Sequence, residues 1–196
     1  MSNHTQLTRI QAIIQESIQV KQTVLNNPLL MNQVSGVVDA VTNAFKTGHK
    51  VQFCGNGGSA ADAQHLAAEF SGRFYKNRTA LPSDALHCNS SYLTAVANDY
   101  GYDEVYSRLV EGTMQSGDIL IGLSTSGNSP NIVKAFETAR FKNIITVGFT
   151  GNGGGKLGEL SHFLLDIPSK NTPRIQESHI MIGHIICELV EANLFP

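Results

Sequence analysis

Residues 51–69 read VQFCGNGGSAADAQHLAAE. This order is typical of a short apolar strand, a glycine-rich turn and then a helix. Glycines allow backbone angles that are closed to other residues, so the N–H groups of the turn can approach a ligand closely. Asn56 and Ser59 add short polar side chains. We therefore expect the turn to bind a small, oxygen-rich and often anionic molecule.

The predicted helix carries two polar side chains on one face. His65 and Glu69 are four residues apart, so their side chains lie about one helical turn from each other. Such a pair can hold a metal ion or move a proton, and the spacing alone leaves both possibilities open.

The composition argues against several classes of protein. The chain has 196 residues, 41% of them hydrophobic, and a net charge of −2, which fits one domain with a substantial core. So weak a charge disfavours binding to nucleic acid or to an anionic membrane. No apolar run approaches the ~20 residues of a membrane span, and the first residues lack a signal-peptide pattern, so we expect a cytoplasmic protein. Cys54, Cys88 and Cys187 lack paired spacing, which predicts reduced, mostly buried thiols.

Two predicted helices precede the strand. Apolar residues recur at helical spacing over residues 6–25, and a second helix is expected from Pro28 to about residue 47. Neither helix carries recognisable chemistry. Their apolar faces should therefore cover the sheet or pack on another subunit.

From residue 50 onward, short apolar segments alternate with helical ones. Strands are expected at residues 50–54, 84–88, 118–123, 143–149 and 162–167, and helices at residues 59–71, 90–97, 102–114, 129–140 and 172–194. The alternation predicts an α/β fold with a parallel sheet and helices on both faces. We expect one domain over residues 1–196, with N-terminal helices at 1–48 and an α/β core at 49–196. Ligands of such sheets bind beyond the carboxyl ends of the strands.

A second polar loop follows the strand predicted at residues 118–123. Residues 123–130 read LSTSGNSP, which places Ser129 as a natural helix N-cap and Pro130 at the first helical position. Unpaired N–H groups and the positive end of that helix would face a ligand held by the hydroxyl groups. The same residue types also fill ordinary turns. Together with the first loop, however, this one favours phosphate binding.

A third glycine-rich run at residues 149–156 reads FTGNGGGK. It has no hydroxyl group beyond Thr150, which favours a flexible turn over a second anion site. Leu157 follows Lys156, so the Gly-x-x-x-x-Gly-Lys-Ser/Thr spacing of a P-loop is absent.

The last predicted helix is apolar nearly all round between residues 180 and 190. A helix without a polar face is buried on every side, which in a chain of this size indicates a subunit contact. His184 lies in this stretch. A lone histidine there is usually a hydrogen-bonded core residue, but His65 and Glu69 need a third group to make a metal site.

Five motifs together resemble the phosphoheptose isomerase family of SIS (sugar-isomerase) domains. They are residues 54–59, the pair His65 and Glu69, and residues 97–101, 124–129 and 174–179. The resemblance implies a flavodoxin-like three-layer sandwich with a five-stranded parallel sheet, and a homotetramer with sites between subunits. It also implies conversion of sedoheptulose 7-phosphate to D-glycero-D-manno-heptose 7-phosphate, a precursor of bacterial lipopolysaccharide or capsule.

The resemblance assigns roles to individual residues. It implies one zinc ion per subunit, with the ligands His65, Glu69, Gln176 and His184. It implies substrate contacts through Asn56, Gly57, Gly58, Ser59, Glu69, Asn98, Asp99 and Gln176. It implies phosphate contacts through Ser124, Thr125, Ser126 and Ser129. We expect Glu69 to be the principal base and His184 its acid partner. Residues 89–91, Asn-Ser-Ser, depart from relatives that often carry an acidic residue there, which leaves the sugar contacts of this loop open.

Two questions about the metal stay open at this stage. Gln176 and His184 are eight residues apart, about 12 Å along a helix, so either both lean toward one ion or one of them serves a neighbouring chain. A carboxylate or imidazole bound to zinc is also a poorer base. Either the ligation loosens when substrate binds, or the zinc is partly structural.

Two rival functions come from other classes of protein. A non-catalytic SIS-domain protein that binds a replication-initiation partner would keep the loops but would not need the metal residues, and all four of those are present here. A phosphosugar-sensing domain of a transcriptional regulator would need a DNA-binding segment that this sequence lacks. The residues therefore favour an isomerase.

Overall fold

The structure, a computed structural model, describes residues 3–196. It opens with helices α1 (Asn3–Leu25) and α2 (Pro28–Lys46). There follow β1 (Val51–Gly55), α3 (Gly58–Ser71), β2 (Ser83–Ala85), α4 (Ser90–Tyr100), a 3₁₀ turn (Tyr102–Glu104), α5 (Ser107–Thr113), β3 (Ile119–Ser124), α6 (Pro130–Phe141), β4 (Ile145–Gly151), α7 (Gly155–Leu160), β5 (Phe163–Ile167) and α8 (Thr172–Leu194).

The five strands form one parallel sheet in the order β2-β1-β3-β4-β5. Every residue of β3 is buried, as expected for a strand that is covered on both faces. This strand order is that of the flavodoxin-like doubly wound fold, so the predicted fold class is confirmed. The order reverses between β1 and β3. In doubly wound sheets, ligands bind in the crevice at the carboxyl ends of the two strands where the order reverses.

Helices cover both faces of the sheet, and a separate apolar core lies on each side. One core, on the side of α2, α3 and α8, includes the buried rings of Phe53, Phe70 and Phe149. The other includes Tyr106 and Phe136 and lies on the side of α5 and α6. Packing the apolar stripes of helices against both faces is what keeps the short strands in register.

The two N-terminal helices have different surroundings. α2 begins at an N-cap, Asn27, whose side chain accepts the Leu30 N–H at 3.2 Å, and its valines at helical spacing are buried in the first core. On α1, in contrast, four large apolar side chains are about half exposed: Leu7, Ile10, Ile14 and Ile18. α2 therefore covers the sheet, whereas α1 turns apolar surface outward.

The last helix has uncovered apolar surface in the single chain. On α8, Ile185 and Leu189 are 38% and 44% exposed, respectively, and the expected subunit contact at this helix stays a prediction. Within residues 3–196, no helix combines the length and the apolar character needed to cross a bilayer.

Two local predictions are corrected by the structure. The helix predicted at residues 102–114 is split into the 3₁₀ turn and α5, because Val105 and Tyr106 turn into the core between them and are at most 1% exposed. The strand predicted at residues 84–88 ends at Ala85, since the Cys88 N–H folds back onto the Ala85 carbonyl. The prediction of mostly buried thiols is confirmed, because Cys54 and Cys187 are buried and Cys88 alone of the three is exposed.

The third glycine-rich run is not a flexible turn. α7 begins within it at Gly155, and the run packs against the polar loop that follows β3. A Cβ atom on Gly127 of that loop would lie only 2.0 Å from the Gly154 carbonyl oxygen. The glycines therefore let two backbone segments approach more closely than side chains would allow.

Candidate functional site

The two predicted binding loops begin side by side at the crevice, because Gly55 at the end of β1 pairs with Leu123 of β3. A Cβ atom on Gly55 would lie 2.4 Å from the Ser59 carbonyl oxygen, so only glycine lets α3 start this close to the strand. Gly57 has a positive φ of 55° and occupies the N-cap position of α3. This backbone angle favours glycine as well.

Asn56 ties the glycine-rich loop to α6. Its side-chain amide pairs reciprocally with that of Asn131, with both N···O distances 2.9 Å, and it accepts the Tyr102 hydroxyl at 3.3 Å. Asn131 is only 2% exposed. Asn131 and Tyr102 were not predicted as site residues, and the place of Asn131 two residues after Ser129 was the one signal for it in the sequence. The pair holds the two loops in a fixed relation across the crevice.

Three hydroxyl groups converge in the second loop. The Ser124 Oγ lies 2.9 Å from the Ser129 Oγ and 3.5 Å from the Ser126 Oγ. Ser129 occupies the N-cap position of α6 as predicted, but its side chain makes no capping hydrogen bond and turns toward Ser124 instead. A cluster of hydroxyls at the positive end of a helix can bind an anion.

A polar cleft adjoins this loop. Its volume is about 300 Å³, and Thr125 and Ser126 form one wall. The remaining lining residues are Asn152, Ser169, Lys170, Thr172 and Ile175. A small polar ligand therefore has room next to the hydroxyl cluster.

The structure brings His65, Glu69 and His184 together. The His65 Nε2 lies 3.0 Å from the Glu69 Oε1 and 3.4 Å from the His184 Nε2. One ligand atom from each residue can be chosen so that all three lie within 4.8 Å of one another. Two imidazole nitrogens and one carboxylate oxygen at these distances could hold a metal ion. We call these three residues the triad.

Helices α3 and α8 run side by side in the same direction, and this arrangement assembles the triad. Gln176 lies opposite Ser59, Gly183 opposite Leu66 and His184 opposite His65. The Gln176 Nε2 is 3.5 Å from the Ser59 Oγ, which places Gln176 at the start of α3. Ser59 precedes His65 by six residues, about 9 Å along a helix. The structure thus places Gln176 beside the glycine-rich loop.

The remaining predicted site residues lie at the end of α4. Asn98 and Asp99 are exposed, and the Asn98 side-chain amide donates to the Asp99 carboxylate at 2.9 Å. The hydroxyl of Tyr102, which follows in the 3₁₀ turn, reaches Asn56. The end of α4 is thereby connected to the glycine-rich loop, but the structure shows no contact of Asn98 or Asp99 with the triad within residues 3–196.

Asp62 is an acidic neighbour of His65 and His184 that was not predicted as a site residue. It precedes His65 by three residues on α3, which places both on one face. Burial raises the pKa of Asp62, while His65 and His184 act in the opposite direction. Its spacing from His65 was a usable signal.

Comparison with known proteins identifies the family. A family model described as "SIS domain" matches residues 14–151. A phosphoheptose isomerase of Aneurinibacillus thermoaerophilus is 50% identical over 186 residues, which are 95% of this chain and 94% of that protein. Solved structures of phosphoheptose isomerases from Neisseria gonorrhoeae and Francisella tularensis have TM-scores of 0.89 and 0.90 and identities of 37% and 32%, over 95% of this chain and 98% of theirs. The chain belongs to the phosphoheptose isomerase family of SIS-domain proteins.

Proposed function

We propose that this protein is an aldose–ketose isomerase that converts sedoheptulose 7-phosphate to D-glycero-D-manno-heptose 7-phosphate. The observation that carries the proposal is the convergence of His65, Glu69 and His184 within 4.8 Å, with His65 and Glu69 on the helix that begins at the glycine-rich loop. The product would supply bacterial lipopolysaccharide or capsule, and a cytoplasmic location agrees with a charged sugar phosphate as substrate.

The chemistry requires one base and one proton carrier. Isomerisation moves a proton from C1 of the ketose to C2 through an enediol, while the hydroxyl proton moves from O1 to O2. We assign Glu69 to the carbon-bound proton and His184 to the transfer between the oxygens. Their side chains are part-buried on neighbouring helices, so a substrate can enter from the open side. The developing negative charge on oxygen needs a positive partner.

Zinc is the metal that the triad fits best, and we propose one zinc ion per subunit. His65, Glu69 and His184 would hold it, with Gln176 as the fourth ligand from the same or a neighbouring chain. The mixed nitrogen and oxygen set suits zinc better than magnesium. A bound ion would polarise the carbonyl oxygen. Glu69 would then serve as both ligand and base, which requires that its ligation loosens during turnover or that the metal is partly structural.

The two loops would bind the rest of the substrate. We propose that the phosphate lies on the hydroxyl cluster, with contacts to Ser124, Thr125, Ser126 and Ser129. Sugar contacts would come from Asn56, Gly57, Gly58, Ser59, Asn98, Asp99 and Gln176. The convergence of the serine hydroxyls supports the first assignment. The exposed position of Asn98 and Asp99 leaves them available to a ligand.

We further propose that residues 1–196 form one SIS domain and that four copies assemble with sites between subunits. The half-exposed apolar side chains of α1 support this assembly. So does an apolar groove of about 390 Å³ between α1, α2 and α8, which includes Ile18, Met181 and Ile185 in its lining. Exposed apolar side chains beside an apolar groove are typical of an interface between subunits.

A non-catalytic role with a replication-initiation partner is the alternative, and it is not favoured. Such a protein has no need of a converging triad, and a relative with 50% identity is named as an isomerase. The proposed function is tested by incubating the metal-loaded protein with sedoheptulose 7-phosphate and detecting the aldose product by NMR. Absence of product here and with other C6 and C7 ketose phosphates would favour the alternative.

A further inference from the structure

A buried ion pair lies at the carboxyl-terminal ends of α3 and α8, the two helices that carry the triad. The Arg78 Nε donates to the Glu191 Oε1 at 2.7 Å, and the two side chains are 1% and 3% exposed. Burying two charges is costly, and such a pair often contributes little net stability compared with apolar residues. Its contacts with the surrounding backbone indicate another role.

Arg78 holds the last turn of α3. Its Nη2 and Nη1 atoms donate to the carbonyl oxygens of Glu69 and Phe70, both at 2.9 Å. The last carbonyls of a helix have no partner within the helix, and the terminal turn frays unless other donors replace it. Glu69 is two residues from the end of α3. The guanidinium group therefore fixes the backbone from which the proposed base projects.

Glu191 fixes the backbone of residues 74–76, whose first residue packs on His184. Its carboxylate accepts the N–H groups of Phe74, Tyr75 and Lys76 at 3.0, 2.7 and 2.8 Å. The ring of Phe74 lies 5.9 Å from that of His184, centroid to centroid. His184 and Glu191 are seven residues apart on α8, about two turns, so they lie on the same side of the helix. The carboxylate thus sets the position of the ring that borders His184.

We propose that Arg78 and Glu191 are positioning residues that set the geometry between Glu69 on α3 and His184 on α8. The inference rests on the proposed isomerase function for its kinetic consequence. Its structural content does not depend on that function, because the contacts to the Glu69 carbonyl and to the Phe74 N–H are present in the chain itself.

Glu191→Gln is the variant of choice. The two carboxylate oxygens both accept hydrogen bonds, one from Phe74 and Arg78 and the other from Tyr75 and Lys76. A glutamine has the same shape but must direct its NH₂ group at one of these sets of donors. The variant therefore breaks half of the contacts without leaving a cavity.

Asp118→Asn is the matched control. Asp118 is 1% exposed, and its carboxylate also accepts backbone N–H groups, from Lys50 at 3.1 Å and Gln115 at 2.9 Å. Asp118 directly precedes β3, so it lies at the amino-terminal ends of the strands, whereas the crevice lies at their carboxyl ends. Asp118→Asn should therefore lower the stability of the protein as Glu191→Gln does, but it should not change the positions of Glu69 and His184.

The kinetic measurement is made on both variants at a temperature where each is folded. Glu191→Gln should lower kcat on the order of 10- to 100-fold with KM within about threefold, since small misplacements of catalytic groups have effects of this size. Asp118→Asn should keep kcat within about twofold. Equal losses of kcat in the two variants would show that the ion pair is only structural.

A second readout does not need turnover. In protein labelled with ¹³C-histidine, as purified, the ring signals of His65 and His184 should shift in Glu191→Gln and stay in place in Asp118→Asn. If Glu191→Gln does not fold, Phe74→Leu keeps the backbone N–H, removes the ring beside His184, and should shift the same His184 signal. Unchanged histidine signals in Glu191→Gln, or in Phe74→Leu if it is used, would overturn the positioning role. If the wild type shows no turnover but Glu191→Gln still shifts the histidine signals, the proposed function is wrong and the positioning role of the ion pair stands.

Discussion

Gly183 of α8 lies against Leu66 of α3 so closely that a Cβ atom on Gly183 would fall 2.4 Å from the Leu66 Cδ1. Leu66 is 1% exposed, so it has little room to yield. The next residue on α8 is His184, and the adjacent residue on α3 is His65. The absence of a side chain at position 183 therefore allows the two imidazole rings to meet.

Gly183→Ala should separate α3 and α8 and impair the triad. Overpacking a buried contact costs on the order of 1–3 kcal/mol, and the shift should weaken metal binding and lower turnover. Gly112→Ala is the control, because a Cβ atom on that glycine would meet nothing within 4 Å and alanine is favoured in α5. Thermal unfolding and cobalt titration of both variants are the measurements. Equal behaviour of the two variants would contradict the importance of this contact.

Metal content should depend on the two histidines of the triad. Purified wild-type protein should contain about one zinc-like ion per subunit, and His65→Ala and His184→Ala should each lose most of it, because removing one ligand leaves an incomplete coordination shell. His4→Ala on α1 should keep it. Elemental analysis of folded protein settles the question, and full metal content in both triad variants would rule out the proposed site.

The hydroxyl loop should act mainly on substrate affinity. Ser124→Ala removes the buried hydroxyl that meets those of Ser126 and Ser129, and contacts with a phosphate are made in both the ground state and the transition state. KM should therefore rise with little change in kcat. Ser161→Ala, which loses a hydrogen bond to the Leu157 carbonyl, should leave KM unchanged. A selective fall in kcat for Ser124→Ala would speak against phosphate binding at this loop.

The stability of the protein should fall in acid through Glu191. Burial opposes ionisation of this carboxyl, but hydrogen bonds from Lys76, Phe74, Tyr75 and Arg78 outweigh it and lower its pKa to about 2. A glutamate in the unfolded chain has a pKa of about 4.3. The unfolded state therefore binds more protons between these values, so the stabilisation is complete above pH ~4.5 and is lost as the pH falls toward 2.

Urea unfolding of wild type and Glu191→Gln at several pH values tests this dependence. The difference in unfolding free energy should be largest near neutral pH and should shrink steadily below pH ~4.5. A difference that stays constant down to pH 3 would mean that the hydrogen bonds around Glu191 do not lower the pKa of its carboxyl group.

The sequence predicts this fold well because its signals are local. Glycine loops that follow apolar strands, and the four-residue spacing of His65 and Glu69, need no knowledge of the rest of the chain. Contacts between distant segments were less accessible. The pairing of Asn56 with Asn131 and the packing of Gly127 on Gly154 depend on how strands align. Helix α7 was missed because three glycines precede its first turn and resemble a flexible loop.

The triad likewise combines a local signal with a contact between distant segments. His65 and Glu69 were paired by spacing, whereas His184 is 115 residues beyond Glu69 and reaches the site only because α8 runs alongside α3. The sequence offered His184 only as a candidate third group, and the resemblance to a family assigned it as a ligand. Gln176 was expected at the metal, but the structure places its side chain against Ser59, and its part in metal binding stays a prediction.

Isomerisation of sedoheptulose 7-phosphate in deuterated water is the decisive test of the proposed function. The metal-loaded wild type should give heptose 7-phosphate with deuterium at C2, to the extent that the abstracted proton exchanges with solvent. Glu69→Gln should abolish turnover and leave substrate binding nearly intact, because it removes the base but keeps its shape. A wild type that yields neither product nor exchange would rule out the proposed isomerase function, and a Glu69→Gln variant that turns over at the wild-type rate would rule out Glu69 as the base.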